Sequence, residues 1–196
     1  RAILVPDHML VTRGIKLYAD GALGSRGAAL LSKYEDYETK GLLIFKKKEI
    51  IPILTKALEQ GIQIQTHAIG DRGNRVTLDW YKEAFETISP DQRKIAKPRW
   101  RVEHAQIISK EDQLRYKEMD LIASMQPSHA IGDLHFAPSR LGMDRVSDGY
   151  VWRNLIDLGV LIAGGSDAPV EIGDPRIEFY AAITRKDLDG FYDEGW

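Results

Sequence analysis

Residues 160–167 read VLIAGGSD, a continuous apolar run that ends in two polar residues. An apolar run of this length, followed by a polar turn, is typical of a parallel β-strand covered on both faces. The strand is predicted over Val160–Gly165, and Gly159 ends the preceding helix, which is predicted over Gly149–Leu158. Asp167 therefore follows the carboxyl end of a buried strand, where parallel sheets place their binding and catalytic groups.

The same order of strand, loop and helix precedes this stretch along the chain. Further strands are predicted over Gly14–Ala19, Ile62–His67, Arg99–His104 and Leu121–Gln126. Helices are predicted over Lys48–Gln60 and Asn74–Thr87, from an N-cap at Ser109 to Glu118, and from Pro175 onwards. Long loops are predicted over residues 20–45 and 127–148. The alternation predicts an α/β fold with a parallel sheet and right-handed crossovers.

The composition restricts the class of protein. With 196 residues the chain is long enough for one domain with a hydrophobic core, and its formal net charge of −2 gives no general attraction to nucleic acid or anionic membranes. No apolar run reaches the length of a membrane span. The absence of cysteine excludes disulfides and thiolate metal ligands, and it fits a reducing cytoplasm. We therefore expect a cytoplasmic protein that acts on a small molecule, without nucleic-acid or membrane partners.

Polar side chains, several of them potential metal ligands, lie on or near the carboxyl ends of all five predicted strands. In chain order they are Lys16, His67, His104, the pair Gln126 and His129, and Asp167. Because the carboxyl ends of parallel strands share one edge, these residues are expected to converge there. Neutral imidazole and carboxylate suit zinc and similar divalent ions. The joint pattern therefore predicts a metal site.

Each of these residues also has an ordinary structural interpretation when taken alone. A histidine at a strand end is commonly a hydrogen-bonded structural residue, Lys16 can extend to solvent, and the SDAP sequence can be a plain turn. His8 is interpreted as a surface residue and His135 as a loop-packing residue. The turn AIGDRGN at 68–74 contains glycines but lacks the spacing of a phosphate loop. The recurrence on successive βα units is what favours a site.

Five sequence runs carry a resemblance to a known family. They are GIKLYADGALGSRGAAL at 14–30, QTHAIGDRGN at 65–74, RWRVEHAQ at 99–106, SMQPSHA at 124–130 and GGSDAPV at 164–170. In this order they resemble the metal-dependent amidohydrolase superfamily. More narrowly, they are similar to amidohydrolase family 3, the branch with N-substituted formamide deformylase-like proteins. The resemblance covers nearly the whole chain.

The resemblance implies a distorted TIM barrel, of which the five predicted strands would be strands four to eight. It also implies a centre of one or two divalent metal ions, with zinc the expected metal. Lys16 would be a bridging lysine carboxylated by carbon dioxide. His67 and His104 would be metal-binding histidines, and Asp167 would be the metal-linked aspartate.

One departure from the family pattern concerns the metal ligands. The pattern includes a His-x-His pair that this sequence does not contain, and the β-sandwich that flanks such barrels has no counterpart here. Five βα units also cannot close an eight-stranded barrel. Residues 1–196 are therefore expected to be one catalytic-barrel domain fragment, the C-terminal half of a barrel. We expect the fragment alone to be inactive and to bind metal weakly, with open sheet edges that favour self-association or a homo-oligomer.

In such an enzyme, metal-activated water would cleave a C–N bond of amide type. Asp167 would act as the general base and pass the proton to the leaving nitrogen. His129 is expected to stabilise the oxyanion, and Arg26 and Gln126 are expected to contact the substrate. Two other classes stay open at this point. One is a non-catalytic binding or scaffold module of barrel topology, and the other is a different metal hydrolase, either a deaminase or phosphotriesterase-like.

Overall fold

Five parallel strands form the sheet that carries most of the predicted site residues. The computed structural model describes residues 3–4 and 9–191. The strands are the antiparallel pair β1 (Ile3–Leu4) and β2 (Val11–Thr12), followed by β3 (Gly14–Tyr18), β4 (Gln63–Ala68), β5 (Arg101–His104), β6 (Ile122–Met125) and β7 (Leu161–Gly164). The order β3-β4-β5-β6-β7 is sequential and parallel throughout. The α/β fold is confirmed, and the predicted strands differ from the observed ones only at their ends.

Eight helices lie in the described part of the chain. They are α1 (Lys47–Gln60), α2 (Asp71–Thr87), α3 (Lys110–Glu118), α4 (Pro127–Asp133), α5 (Ala137–Leu141), α6 (Met143–Val146), α7 (Trp152–Asp157) and α8 (Pro175–Thr184). None of these helices combines the length and the apolar character that crossing a membrane requires.

Two of the predictions for residues 127–158 are wrong. The loop predicted over 127–148 contains α4, α5 and α6, whose segments are too short to show a helical period in the sequence. The helix predicted over Gly149–Leu158 begins only at Trp152. Tyr150 has a left-handed backbone, with φ of 53°, which a right-handed helix does not allow. Its N–H donates to the carbonyl of Gln106 and is therefore not available for a helical hydrogen bond.

Alternation along the strands gives the sheet two different faces. One row of paired residues runs from Leu17 through Thr66, Val102 and Ala123 to Ile162. Register partners in parallel strands point to the same side. This side faces α1, α2, α3 and α7, whose apolar residues complete the main hydrophobic core.

The opposite face of the sheet is polar. Tyr18 pairs with His67, and His67 pairs with Glu103, so these three side chains share that face. Lys16 lies on the same face because it is two residues before Tyr18 on β3, and it pairs with Gln65. This is the face on which a site can form, since helices cover the other one.

Two long connections fold over the carboxyl end of the sheet. Segment 20–45 follows β3 and packs against α5 and α6, forming a second apolar cluster. The helix α4 follows β6 and packs against α8 through Ile131, Leu134 and Ala181. These contacts place both connections around the ends of β4 and β5.

β7 differs from the covered strand that its apolar sequence predicts. Leu161 on this strand is 56% exposed. Within residues 3–4 and 9–191, β7 pairs only with β6, and β3 at the other edge pairs only with β4. The expectation that β7 is covered on both faces is therefore wrong for this part of the chain.

Candidate active site

Three histidine rings form a continuous cluster at the carboxyl end of the sheet. The rings of His67 and His104 are 4.4 Å apart between centroids and meet edge to face at 70°. The rings of His104 and His129 are 5.7 Å apart and nearly parallel, at 15°. The three residues come from β4, β5 and α4, so the sheet brings together residues that are distant in sequence.

The backbone of His104 explains how its ring joins this cluster. Strict alternation would place His104 on the side of Val102, which faces the helices. His104 instead has φ of 72°, in the left-handed region, as does the next residue, Ala105, with φ of 45°. A left-handed backbone is costly for a residue with a Cβ and is concentrated at functional sites. The local turn directs the ring of His104 towards His67.

Gln126 fixes the ring of His104. Its side-chain oxygen Oε1 lies 2.9 Å from Nδ1 of His104, and its Nε2 donates to the carbonyl of Ser124 at 3.3 Å. Because the amide oxygen can only accept, Nδ1 carries the proton. The lone pair of Nε2 is then free to bind a ligand.

Two acceptors fix the ring of His67. Its Nε2 lies 3.3 Å from the carbonyl oxygen of Gly21 and 3.4 Å from Oδ1 of Asp20. The carbonyl of Gly21 accepts the hydrogen bond from this ring, and the carboxylate of Asp20 lies beside it without donating, so Nε2 carries the proton and Nδ1 keeps its lone pair. The cluster therefore offers one free nitrogen from each of two adjacent neutral imidazoles.

All three histidines are held in the neutral form. Burial lowers the pKa of His67 and of His129. Burial, with the neighbouring His67, His129 and Lys16, lowers the pKa of His104 to about 3. Neutral imidazole is the form that binds metals, so the donor chemistry fits a divalent ion.

Lys16 and Asp167 lie near the cluster, Lys16 on β3 at one edge of the sheet and Asp167 after β7 at the other edge. Lys16 Nζ is 5.0 Å from the centre of the Tyr18 ring, which in turn lies 5.2 Å from the His67 ring. Asp167 is exposed and has φ of 57°, and its charge raises the pKa of both His67 and His129. Both residues are therefore within electrostatic reach of the histidines.

The described residues do not hold a complete set of metal ligands. Across residues 3–4 and 9–191, no three His, Cys, Asp or Glu side chains are grouped so that they could hold an ion. His67 and His104 thus form two adjacent donors of a site that needs further ligands. His8, interpreted from the sequence as a surface residue, lies outside the described residues.

His129 has an unused nitrogen. Its Nε2 is buried and makes no hydrogen bond within the described part of the chain, and the nearest carboxylate oxygen, Glu171 Oε1, is 3.6 Å away. A buried polar atom without a partner is costly and usually signals a ligand or a functional role. This nitrogen is available to a group that enters the site.

The two residues predicted to contact substrate are engaged with protein groups. Arg26 makes a two-bond ion pair with Asp36, with Nε–Oδ1 at 3.0 Å and Nη2–Oδ2 at 2.8 Å. Gln126 is 7% exposed and holds His104. His135, interpreted as loop packing, bonds Asp187 at 3.0 Å and stacks on Phe191.

Asp20 is a site residue that the sequence interpretation did not single out. It is 1% exposed, follows β3 after Ala19, and accepts backbone N–H bonds from Ala29, Ile69 and Gly70. Burial raises the pKa of Asp20 to about 7, although the three N–H bonds lower it. The only sequence signal was its position one residue beyond a predicted strand.

The turn AIGDRGN is not a phosphate site. The N–H groups of Arg72 and Gly73, at the start of α2, both donate to the carbonyl of Ala29. The preceding N–H groups of Ile69 and Gly70 donate to Asp20. Because these donors are used within the protein, the turn serves to dock segment 20–45.

A half-buried carboxylate lies on the same helix as His129. Asp133 Oδ2 on α4 accepts hydrogen bonds from Gln106 Nε2 at 2.5 Å and from the hydroxyl of Tyr150 at 2.6 Å. Burial raises the pKa of Asp133 to about 6, against the lowering effect of these two bonds. The network connects α4 to the segment that follows β5 and so holds the His104 and His129 elements together.

Comparison with known proteins gives one family match. The model of the amidohydrolase family matches residues 4–194. The YtcJ protein of Bacillus subtilis (strain 168) is 35% identical over 173 residues, which are 88% of this chain and 31% of that protein.

Two solved structures are also similar. An uncharacterized metal-dependent hydrolase from Pyrococcus horikoshii OT3 superposes with a TM-score of 0.77 at 32% identity, over 89% of this chain and 34% of its own. A second one, from Pyrococcus furiosus, gives a TM-score of 0.79 at 30% identity, over 91% and 36%. The chain therefore spans about a third of the length of the relatives that it matches.

Proposed function

Since the chain belongs to amidohydrolase family 3, we propose that it forms part of the active site of a metal-dependent hydrolase that cleaves a C–N bond of amide type with water. The observation that carries this proposal is the pair of neutral rings, His67 and His104. Each has one nitrogen fixed by an acceptor and the other nitrogen free. A metal-binding histidine in proteins is usually held in this way through its second nitrogen.

The residues that would hold the metal are the adjacent pair His67 and His104. Asp167 and a carboxylated Lys16 are the proposed further ligands, although Asp167 is not grouped with the two histidines in the described part of the chain. Imidazole and oxygen ligands suit zinc, in a centre of one or two ions. A bound ion of this kind lowers the pKa of a water molecule and polarises a carbonyl oxygen. The further ligands that such a centre needs would come from outside the described residues.

The protein groups around this centre have separate proposed tasks. Asp167, which is exposed at the edge of the cluster, would accept a proton at its carboxylate and return it to the leaving nitrogen. His129 would donate a hydrogen bond to the developing oxyanion, because its buried Nε2 has no protein hydrogen bond. Gln126 would hold His104 rather than the substrate.

The experiment uses the full-length protein. Its metal content is measured by plasma mass spectrometry, and hydrolysis is assayed on amides, esters, phosphotriesters and aminated heterocycles. We expect bound zinc and activity that is highest on amides. Activity confined to phosphotriesters or aminated rings would assign a different metal hydrolase, and a metal-free protein inert to every substrate would favour a scaffold.

A matched pair of histidine variants locates the activity. His104→Ala should lose both metal and hydrolysis, because it removes a proposed ligand. His135→Ala should keep both, because His135 bonds Asp187 on the surface of the chain. Equal activity and metal content in the two variants would contradict the assignment of the site.

A further inference from the structure

The carboxylate of Asp20 is bound on both of its oxygens. Oδ1 accepts the N–H of Ile69 at 3.0 Å. Oδ2 accepts the N–H of Ala29 at 2.9 Å and that of Gly70 at 2.8 Å. These donors come from segment 20–45 and from the turn between β4 and α2, so one side chain fixes two elements around the end of β4.

Two glycines make room for the Asp20 carboxylate and for the close approach of segment 20–45, and a side chain at either glycine would clash. A Cβ on Gly73 would lie 2.3 Å from Oδ2 of Asp20. A Cβ on Gly70 would lie 2.0 Å from the carbonyl oxygen of Ala29. Both distances are far below a normal contact, so the glycines allow segment 20–45 to approach the turn closely.

The same carboxylate also faces the proposed ligand His67. Oδ1 of Asp20 lies 3.4 Å from Nε2 of His67, and the carbonyl oxygen of Gly21, the next residue, lies 3.3 Å from it. Residues 20 and 21 thus present two acceptors to one ring nitrogen. The side chain of Asp20 is 0% exposed and that of His67 is 11% exposed, so water competes little for these contacts.

A neighbouring aspartate, Asp71, anchors segment 20–45 through backbone N–H groups rather than through the proposed ligand His67. Asp71 Oδ1 accepts the N–H groups of Leu31 and Arg72, both at 2.8 Å. It therefore ties the same segment to the start of α2. Within residues 9–191 Asp71 forms no hydrogen bond or ion pair with His67, whereas Asp20 lies at ion-pair distance from it.

We propose that Asp20 is a positioning residue that keeps the proton of His67 on Nε2 and thereby directs the Nδ1 lone pair into the site. Within the described residues, Asp71 anchors segment 20–45 without pairing with an imidazole. The position of the Asp20 carboxylate beside His67 is therefore not needed for anchoring alone. The proposal builds on the proposed function through the role of His67. Its first test does not need metal or activity, so the two can fail separately.

The first test is the tautomer of His67 in the metal-free, full-length protein, read from long-range ¹H–¹⁵N NMR at a pH above the pKa of Asp20. The wild-type protein should show protonated Nε2 and unprotonated Nδ1. A wild-type His67 that is protonated on Nδ1 overturns the proposal, whatever the variants do.

Asp20→Asn should change this tautomer. The new amide oxygen can keep the two N–H groups of Ala29 and Gly70 and give up the single N–H of Ile69, which places the amide NH₂ towards Nε2 of His67. A donor at this position favours a proton on Nδ1 instead. Asp71→Asn is the matched control and should leave the tautomer unchanged, because Asp71 does not face the ring. An unchanged tautomer in folded Asp20→Asn contradicts the proposal.

The second test is zinc affinity, measured by competition with a chelator. Loss of the group that orients a metal-binding histidine typically costs on the order of 10- to 100-fold in affinity. We expect this loss for Asp20→Asn and no loss for Asp71→Asn. If Asp20→Asn does not fold, Gly73→Ala serves in its place, since its Cβ displaces the carboxylate and keeps the charge. Equal losses in the Asp20 and Asp71 variants would reduce Asp20 to an anchor.

Discussion

At the scale of single residues, the site depends on which ring nitrogen of His67 and His104 carries the proton and on the left-handed backbone of His104. Two histidines at strand ends are visible in the sequence, and so is an aspartate after β7. The left-handed φ of His104 and the proton position on each ring are not, because they depend on Gln126, Gly21 and Asp20 in the folded chain. The ligand candidates could thus be predicted from the sequence, whereas their orientation could not.

The role of Gln126 leads to the first prediction. Gln126→Leu keeps the size of the side chain but removes the acceptor for His104 Nδ1, so the ring is no longer fixed. Zinc affinity of the full-length protein should fall on the order of 10- to 100-fold. Gln113→Leu is the control, because Gln113 is also buried but donates to the carbonyl of Ile108. A chelator competition that gives Gln126→Leu the affinity of the wild type would refute the prediction.

The second prediction concerns Asp167. Asp167→Asn keeps the shape of the side chain but removes the charge and the base. Proton transfer by a positioned base contributes on the order of 10²–10⁴-fold, so kcat should fall by at least about 10²-fold with little change in KM. Metal content should fall less than in His67→Ala. Rates are normalised to bound metal.

Asp174 supplies the control for Asp167 in the same connection. Its side chain accepts the N–H of Arg176 at 2.9 Å and caps α8. Because Asn caps a helix about as well as Asp, Asp174→Asn should leave kcat unchanged and have little effect on stability. If Asp167→Asn behaves like Asp174→Asn, then Asp167 is a structural residue.

At the scale of elements, segment 20–45 is the part of the fold that sequence patterns describe least. It has no helical or alternating period, and its place is set by backbone contacts with the turn before α2. The strands were predictable because each has either an apolar run or apolar residues that alternate with polar ones. The helices α4 to α6 were not, because each is shorter than the window in which a period can be recognised.

Gly41 tests how tightly segment 20–45 is held. Gly41 has φ of 71°, and a Cβ at this position would lie 1.9 Å from the carbonyl oxygen of Ala28. Gly41→Ala should therefore lower the free energy of unfolding by about 1–3 kcal/mol, as backbone strain at a disfavoured angle does. Gly132→Ala on α4 meets no atom within 4 Å and should be neutral or stabilising by up to about 1 kcal/mol. Urea denaturation distinguishes the two, and equal midpoints would be inconsistent with this packing.

The half-buried Asp133 on α4 gives a pH prediction. Its folded pKa is about 6, against 3.8 as the ordinary value, so the folded protein binds this proton more tightly than the unfolded chain does. The stabilisation is complete below 3.8 and is lost as pH rises through about 6. Asp133→Asn keeps an oxygen for Gln106 and Tyr150 but does not ionise. Its stability relative to the wild type should therefore rise across this pH window, measured as the difference in melting temperature. A constant difference would contradict the raised pKa.

At the scale of the whole molecule, the order of the motifs along the chain identified both the family and the parallel α/β fold, and both are confirmed. The motifs indicate the fold because each one lies at the end of a strand. In this sheet the strands are neighbours in the same order as they follow along the chain, so successive motifs lie side by side. The exposure of β7 was not predictable in this way, since burial at an edge depends on what lies beside it.

The proposed function depends most on the binding of a divalent metal by His67 and His104 in the full-length protein. The most direct test is a crystal structure of the zinc-loaded protein, with anomalous diffraction recorded on both sides of the zinc absorption edge. We predict an anomalous peak that places a zinc ion within bonding distance of Nδ1 of His67 and Nε2 of His104, with Asp167 beside it. A fully loaded protein whose zinc peak lies away from both imidazoles would contradict metal binding by this pair.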